Sequence, residues 1–160
     1  MTALSLQWNM GNAGSADLVF QHAAESVEVH TTYIGDGLGS IVQAAVDLHR
    51  GSRSAFAYLP AEPSGTCLFF GGARTDVYVQ IVQFADMESL SARWSGGELR
   101  WHGRVDVREY VRNVKHMADD VLLQCGGVES YARAWGGISF PIEELESLRQ
   151  GPSTGPGSAR

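Results

Sequence analysis

Residues 27–51, VEVHTTYIGDGLGSIVQAAVDLHRG, change their hydrophobic period midway, and that change dictates a strand, a sharp corner and a helix in direct succession. Val27, Val29, Thr31 and Tyr33 share one face of a two-residue repeat, and Glu28, His30 and Thr32 share the other, as in a strand with one wet face. Gly35, Gly37 and Gly39 then crowd into five residues, and from there Leu38, Ile41, Val42, Ala45 and Leu48 recur at helical spacing. Asp36 is placed to cap this helix, its carboxylate accepting from the free amides of the first turn. His49 and Arg50 bring positive charge to the C-terminal end, and Gly51 is a natural residue to follow it.

A glycine corner leading into a helix N-terminus is also how phosphate cradles are built. Gly-Asp-Gly-Leu-Gly-Ser departs from the dinucleotide fingerprint, which needs glycines at its first, third and sixth positions, and it lacks the Gly-Lys-Ser/Thr ending of a P-loop. Asp36 would also set a carboxylate where phosphate belongs. A structural corner is therefore the favoured reading, with a pocket near residues 35–40 kept as the alternative.

The remaining elements follow from pattern. Residues 3–9 alternate and predict a first strand, while residues 17–21 fit either a separate short strand or the lead into the next one. Residues 54–59, 66–70, 77–84 and 98–105 read as further strands joined by short reversals, the first of them a turn over residues 60–65. Residues 77–84 are apolar on both faces and predict a central strand, and Leu99, Trp101 and Val105 are expected to share one face of the last. Asp106-Val-Arg-Glu109 has the form of a capping box and opens a long helix with an apolar stripe of Val107, Tyr110, Val111, Val114, Met117, Val121, Leu122 and Cys125. Shorter helices follow at residues 128–135 and after Pro141, with Glu143 and Glu144 near the positive end of the latter. Residues 151–160, GPSTGPGSAR, offer almost nothing apolar and predict a disordered tail behind a single domain of residues 1–150.

Catalytic signatures are missing from the sequence. There is no Gly-x-Ser-x-Gly elbow and no His-Glu-x-x-His helix. His22 and His30 lack a metal-ligand spacing, and His116 with Asp119 and Asp120 reads as a solvated helix face. Neither Cys67 nor Cys125 has a CxxC partner, so both read as reduced thiols near the core. No metal or cofactor is predicted. Trp94 sits in a Ser/Gly-rich loop beside Arg93, with Arg100 close behind, and indole with guanidinium is the usual composition of an interface anchor. Trp101 and Trp135 read instead as core rings. The candidate binding residues are thus Asp36, Arg93, Trp94 and Arg100, with no catalytic residue among them.

A net charge of −6 argues against a nucleic-acid partner. The charge is uneven: residues 1–50 carry five acids against Arg50 alone, which points to a basic partner protein. The chain has no signal-peptide pattern and no apolar stretch of transmembrane length, so a cytoplasmic location away from the membrane is expected. One lysine beside many arginines, with abundant Gly and Ala, suits a GC-rich bacterial genome.

The motifs Tyr-Ile-Gly-Asp-Gly-Leu-Gly, Glu-Pro-Ser-Gly, Tyr-Ala-Arg-Ala-Trp-Gly and Phe-Pro-Ile-Glu-Glu-Leu, in this order across residues 25–148, resemble a group of small bacterial proteins, some of them immunity-like. The resemblance implies a fold and carries no functional residue across. The expected fold is α+β, an antiparallel sheet of about five or six strands with two main helices packed on one face. The expected function is a non-enzymatic protein-interaction domain, immunity-like, that meets a basic partner.

Overall fold

The computed structural model describes residues 4–12, 14–87 and 96–151. The architecture is α+β, with seven strands divided between two antiparallel sheets. The first sheet is the meander β1 (Leu4–Met10), β2 (Ser15–His22) and β3 (Glu25–Thr32). The second is the meander β4 (Ala55–Ala61), β5 (Ser64–Gly71), β6 (Asp76–Phe84) and β7 (Glu98–Asp106). Four helices complete the chain: α1 (Gly37–His49), α2 (Val107–Cys125), α3 (Val128–Ala134) and α4 (Ile142–Arg149). Residues 17–21 thus lie in a strand of their own.

The single sheet of five or six strands with two helices is corrected to two sheets and four helices, and Pro60 supplies the physical reason. Predicted to open a turn, it lies inside β4. Proline has no amide to give to a ladder and is confined to sheet edges. A residue's amide and carbonyl leave a strand on the same side, so the edge of β4 at Tyr58 and Pro60 faces β3 and α1. There two side-chain hydroxyls do the work of a neighbouring strand. Thr31 of β3, fully buried, donates to the Pro60 carbonyl at 2.8 Å. Ser40 of α1 accepts from the Tyr58 amide at 3.0 Å and lies 2.8 Å from the Tyr58 carbonyl.

Both sheets turn their apolar faces to one core. Leu6, Trp8, Leu18, Phe20, Val27 and Val29 of the first meet Leu59, Leu68, Val79, Ile81 and Trp101 of the second. Phe20 packs on Trp101 with ring centroids 4.8 Å apart. Helix α1 covers β4 and α2, and α2 packs on β1. Its stripe of Tyr110, Val111, Val114, Met117 and Val121 is buried as its spacing predicts.

Two local expectations are revised. Asp106 caps α2 by accepting from the Glu109 amide at 2.8 Å, but Glu109 does not close the box. Its carboxylate accepts instead from the Leu4 amide at 2.8 Å and ties α2 to β1. In β7, Leu99 does not share a face with Trp101. Ile81 pairs with Trp101 and Val82 with Leu99, so a bulge at Arg100 absorbs one residue and turns Leu99 outward, half-exposed.

The seam at β4 makes a direct prediction. Ser40→Ala strands the Tyr58 amide, and Thr31→Val keeps the shape but strands the Pro60 carbonyl. Each is expected to cost about 1–3 kcal/mol in urea unfolding. Ser147→Ala, whose exposed hydroxyl donates to the Glu143 carbonyl of its own helix and accepts only a long 3.5 Å contact from Arg50, is expected to cost under about 0.5 kcal/mol.

Candidate functional site

The turn between β3 and α1 is held in place from outside by α3. Trp135, fully buried, donates its indole N–H to the Gly35 carbonyl at 3.1 Å. The Tyr33 amide donates to the Gly14 carbonyl, and the Gly14 amide to the Ala134 carbonyl, both at 2.9 Å. Gly14 and Gly136 have φ of +83° and +65°, and a Cβ at either would strike the Tyr33 ring at 2.3 and 2.7 Å. Glycine is required at both places on two counts, conformation and space.

The glycine corner itself is filled. A Cβ on Gly35 would meet Pro60 at 2.7 Å, and one on Gly37 would meet Thr31 and then Leu59 and Trp8. Open space lies only beside it, in a notch of about 450 Å³ between Asp36, Gly39 and residues 139–144. Here the N-termini of α1 and α4 converge. Asp36 caps α1 as its position predicts, accepting from the Gly39 amide at 2.9 Å. Glu143 and Glu144 occupy the first turn of α4.

One exposed apolar side chain lines the notch, and two more lie in the turn that leads into it. Tyr33 is 56% exposed and Ile34 52%, in the turn that ends at Asp36, and Ile142 between the two helix starts is 37% exposed. Asp36, Glu143 and Glu144 form no ion pair among the described residues. The Asp36 residue is exposed, yet the notch shelters its carboxyl group. Desolvation raises its pKa, the Gly39 amide opposes this, and the charge of Glu144 adds to the rise. Behind the notch, burial pushes the Tyr131 phenol up as well, with Asp36 and Cys125 adding to it, so the hydroxyl stays neutral.

The other candidates separate. Arg100, at the bulge, is exposed, bonds Gln83, and lines a small hollow of about 170 Å³ with Glu28 and His30, apart from Asp36. Arg93 and Trp94 lie outside the described residues. Trp101 and Trp135 are core rings. Asp119 is held by Arg149 at 2.6 Å and so does not serve His116. His30 pairs with Asp17 at 2.8 Å across β2 and β3, a contact that only the strand register reveals. Burial lifts the Cys67 thiol to about 12, leaving it protonated. Sequence reasoning put Asp36 at this end but missed Tyr33, Ile34 and Ile142 as its exposed companions. Tyr33 continued the strand alternation and was read as core-facing.

Among the described residues no group of three His, Cys, Asp or Glu side chains could hold a metal ion, and no helix is long and apolar enough to cross a membrane. Comparison with protein-family models, curated proteins and solved structures finds no match to this chain.

Asp36 gives a signed pH prediction. Its folded pKa lies above the unfolded value of about 3.9, so its stabilising contribution is complete below that pH and is lost as pH rises through the folded value. Asparagine accepts the same Gly39 hydrogen bond without a charge to desolvate. Asp36→Asn is therefore expected to match or exceed wild-type stability at pH 7 and to flatten the pH dependence of the melting temperature between pH 3 and 7. Asp36→Ala is expected to cost about 1 kcal/mol at pH 3 and less at pH 7, where the wild type has lost that contribution.

Proposed function

We propose that this chain is a non-enzymatic protein-interaction domain that offers its acidic end, the notch between the α1 and α4 N-termini, to a basic partner in the manner of an immunity protein. The observation that carries the reading is the composition of that end: three exposed apolar side chains, Tyr33, Ile34 and Ile142, together with three carboxylates that no cation among the described residues pairs. Apolar anchors beside like charge are what an interface needs. Burial of the anchors supplies the affinity, and the charge speeds encounter and rejects acidic competitors. The surroundings are suited to docking without rearrangement, because Trp135, Gly14 and Gly136 hold the turn rigidly.

Nothing in the same place supplies a reaction. Asp36 is committed to the Gly39 amide, and the nearest phenol is kept neutral by burial. A catalytic carboxylate would need a second group of different protonation opposite it, and the notch offers only more carboxylates.

Affinity capture on immobilised wild-type protein and on the double variant Glu143→Lys/Glu144→Lys tests the reading. A protein with a basic surface is expected on the wild type, to be lost from the variant, and to be released by 0.5 M salt. Identical captured sets on both, or a captured partner with an acidic surface, would refute it. Tyr33→Ser should weaken the same complex by about 2 kcal/mol with less effect on its salt dependence.

A further inference from the structure

At the other end of α1 and α4 lies a hollow of about 990 Å³, and its character is the reverse of the acidic end. Its floor is apolar: Leu48 from α1, Val107 and Val111 from α2, and Leu148 from α4. Its walls carry Arg108, Arg112 and Lys115 from α2 and Arg74 from the turn before β6, which adjoins the start of α2 through the Val107 amide on the Thr75 carbonyl. His49 adds a titratable ring, whose Nε2 meets the Gln150 carbonyl at 3.0 Å. The one carboxylate in the lining, Asp106, is already used by the Glu109 amide.

This concentration of positive charge is hard to explain as structure. The chain as a whole is at −6. Of the other described arginines, Arg104 pairs with Asp76 and Arg149 with Asp119 and Glu146, while Arg50, Arg53, Arg100 and Arg133 stand outside this groove without an ion pair among the described residues. Arg74, Arg108, Arg112 and Lys115 form no ion pair among the described residues. Arg108 and Arg112 stand four apart, and Arg112 and Lys115 three apart, on one helix, so like charges are neighbours. Arg108 also sits in the first turn of α2, where the helix dipole disfavours a cation. Repulsion and dipole both oppose the arrangement, and a bound anion relieves both.

We infer that this groove is a binding site for a small anionic amphiphile, a molecule with a phosphate or carboxylate group on an apolar chain or ring. The two parts of the ligand answer the two parts of the groove. Arginine forks from α2 and from the adjoining turn take the anion, and the apolar body lies on Leu48, Val111 and Leu148. The volume falls at the upper end of the range for small-molecule sites. The site is preformed. The Arg74 turn is fixed by the Ala73 amide on the Arg53 carbonyl at 2.9 Å, by the Arg74 amide on Asp76 at 2.8 Å and by the Val107 amide on Thr75 at 3.0 Å. This site is separate from the acidic end, and neither reading depends on the other.

Calorimetry and methyl-resolved NMR with octyl phosphate below its micelle concentration test the inference. Inorganic phosphate, octanol and vesicles of phosphatidylcholine and phosphatidylglycerol serve as the other arms. Octyl phosphate is expected to bind at least about tenfold more tightly than inorganic phosphate or octanol, and to shift the methyl signals of Leu48, Val111 and Leu148. Arg112→Gln/Lys115→Gln is expected to weaken it about tenfold or more, while Arg133→Gln on α3 leaves it unchanged. Equal affinity for phosphate and octyl phosphate would reduce the groove to a plain anion patch and overturn the proposal. So would shifts confined to other methyls, binding to vesicles alone, or loss of the groove's signals on raising protein concentration without ligand, which would assign the groove to a second copy of the chain.

Discussion

Three hydrogen-bonding groups at the edge of β4 decide the shape of this protein. The amide and carbonyl of Tyr58 go to the Ser40 hydroxyl, and the carbonyl of Pro60 goes to the Thr31 hydroxyl. Pro60 has no amide to leave unpaired. A sheet edge normally demands another strand or water. Here it receives two side chains delivered by the elements on either side of the glycine corner. That exchange ends one sheet and begins the next, seats α1 against β4, brings Gly35 so close to Pro60 that a Cβ there would collide, and packs Gly37 tightly against Thr31. The position of the notch outside the corner follows from the same crowding.

Much of this was written plainly in the chain. The apolar stripe of α2 and the Asp36 and Asp106 caps are local in origin, set by spacing within a few residues, and the structure has them where their spacing puts them. The two sheets were not legible because their separation depends on where one proline lands relative to a hydroxyl twenty-nine positions earlier. Leu99 was misplaced for a related reason: a bulge is invisible to a two-residue repeat, which assumes an unbroken ladder. The cations of the large groove were each visible in the sequence, three of them on one helix. Their meeting with Arg74 and with the Leu48 and Leu148 floor is a product of tertiary packing alone.

The charge pattern has two sources that should be kept apart. Helices α1 and α4 start together at Asp36 and Glu144 and finish together at His49 and Gln150, so they run side by side in one direction. Acids at their starts and His49, Arg50 and Arg149 at their ends each suit the helix dipole. Part of the acidic end is thus ordinary helix chemistry, and what distinguishes it is the uncovered apolar surface of Tyr33, Ile34 and Ile142. Of the α2 cations, Arg108 runs against the dipole and Arg112 and Lys115 lie beyond its reach, so none has that ordinary cause.

The bond between Leu4 and Glu109 spans 105 residues, and it has a bearing on how the chain acquires its fold. The β1–β3 meander closes through neighbouring strands and can pair early. Its inner face, however, waits for partners made near the end of synthesis: Trp101 for Phe20, α2 for β1, and Trp135 for Trp8, whose rings lie 6.0 Å apart. During translation the first sheet therefore emerges with an apolar face whose cover is complete only once α2 and α3 have left the ribosome. Contacts of such long range slow folding and expose the nascent chain to aggregation. Loss of residues from the α2–α4 region would accordingly be felt first at the opposite end of the sequence, in the strands made earliest.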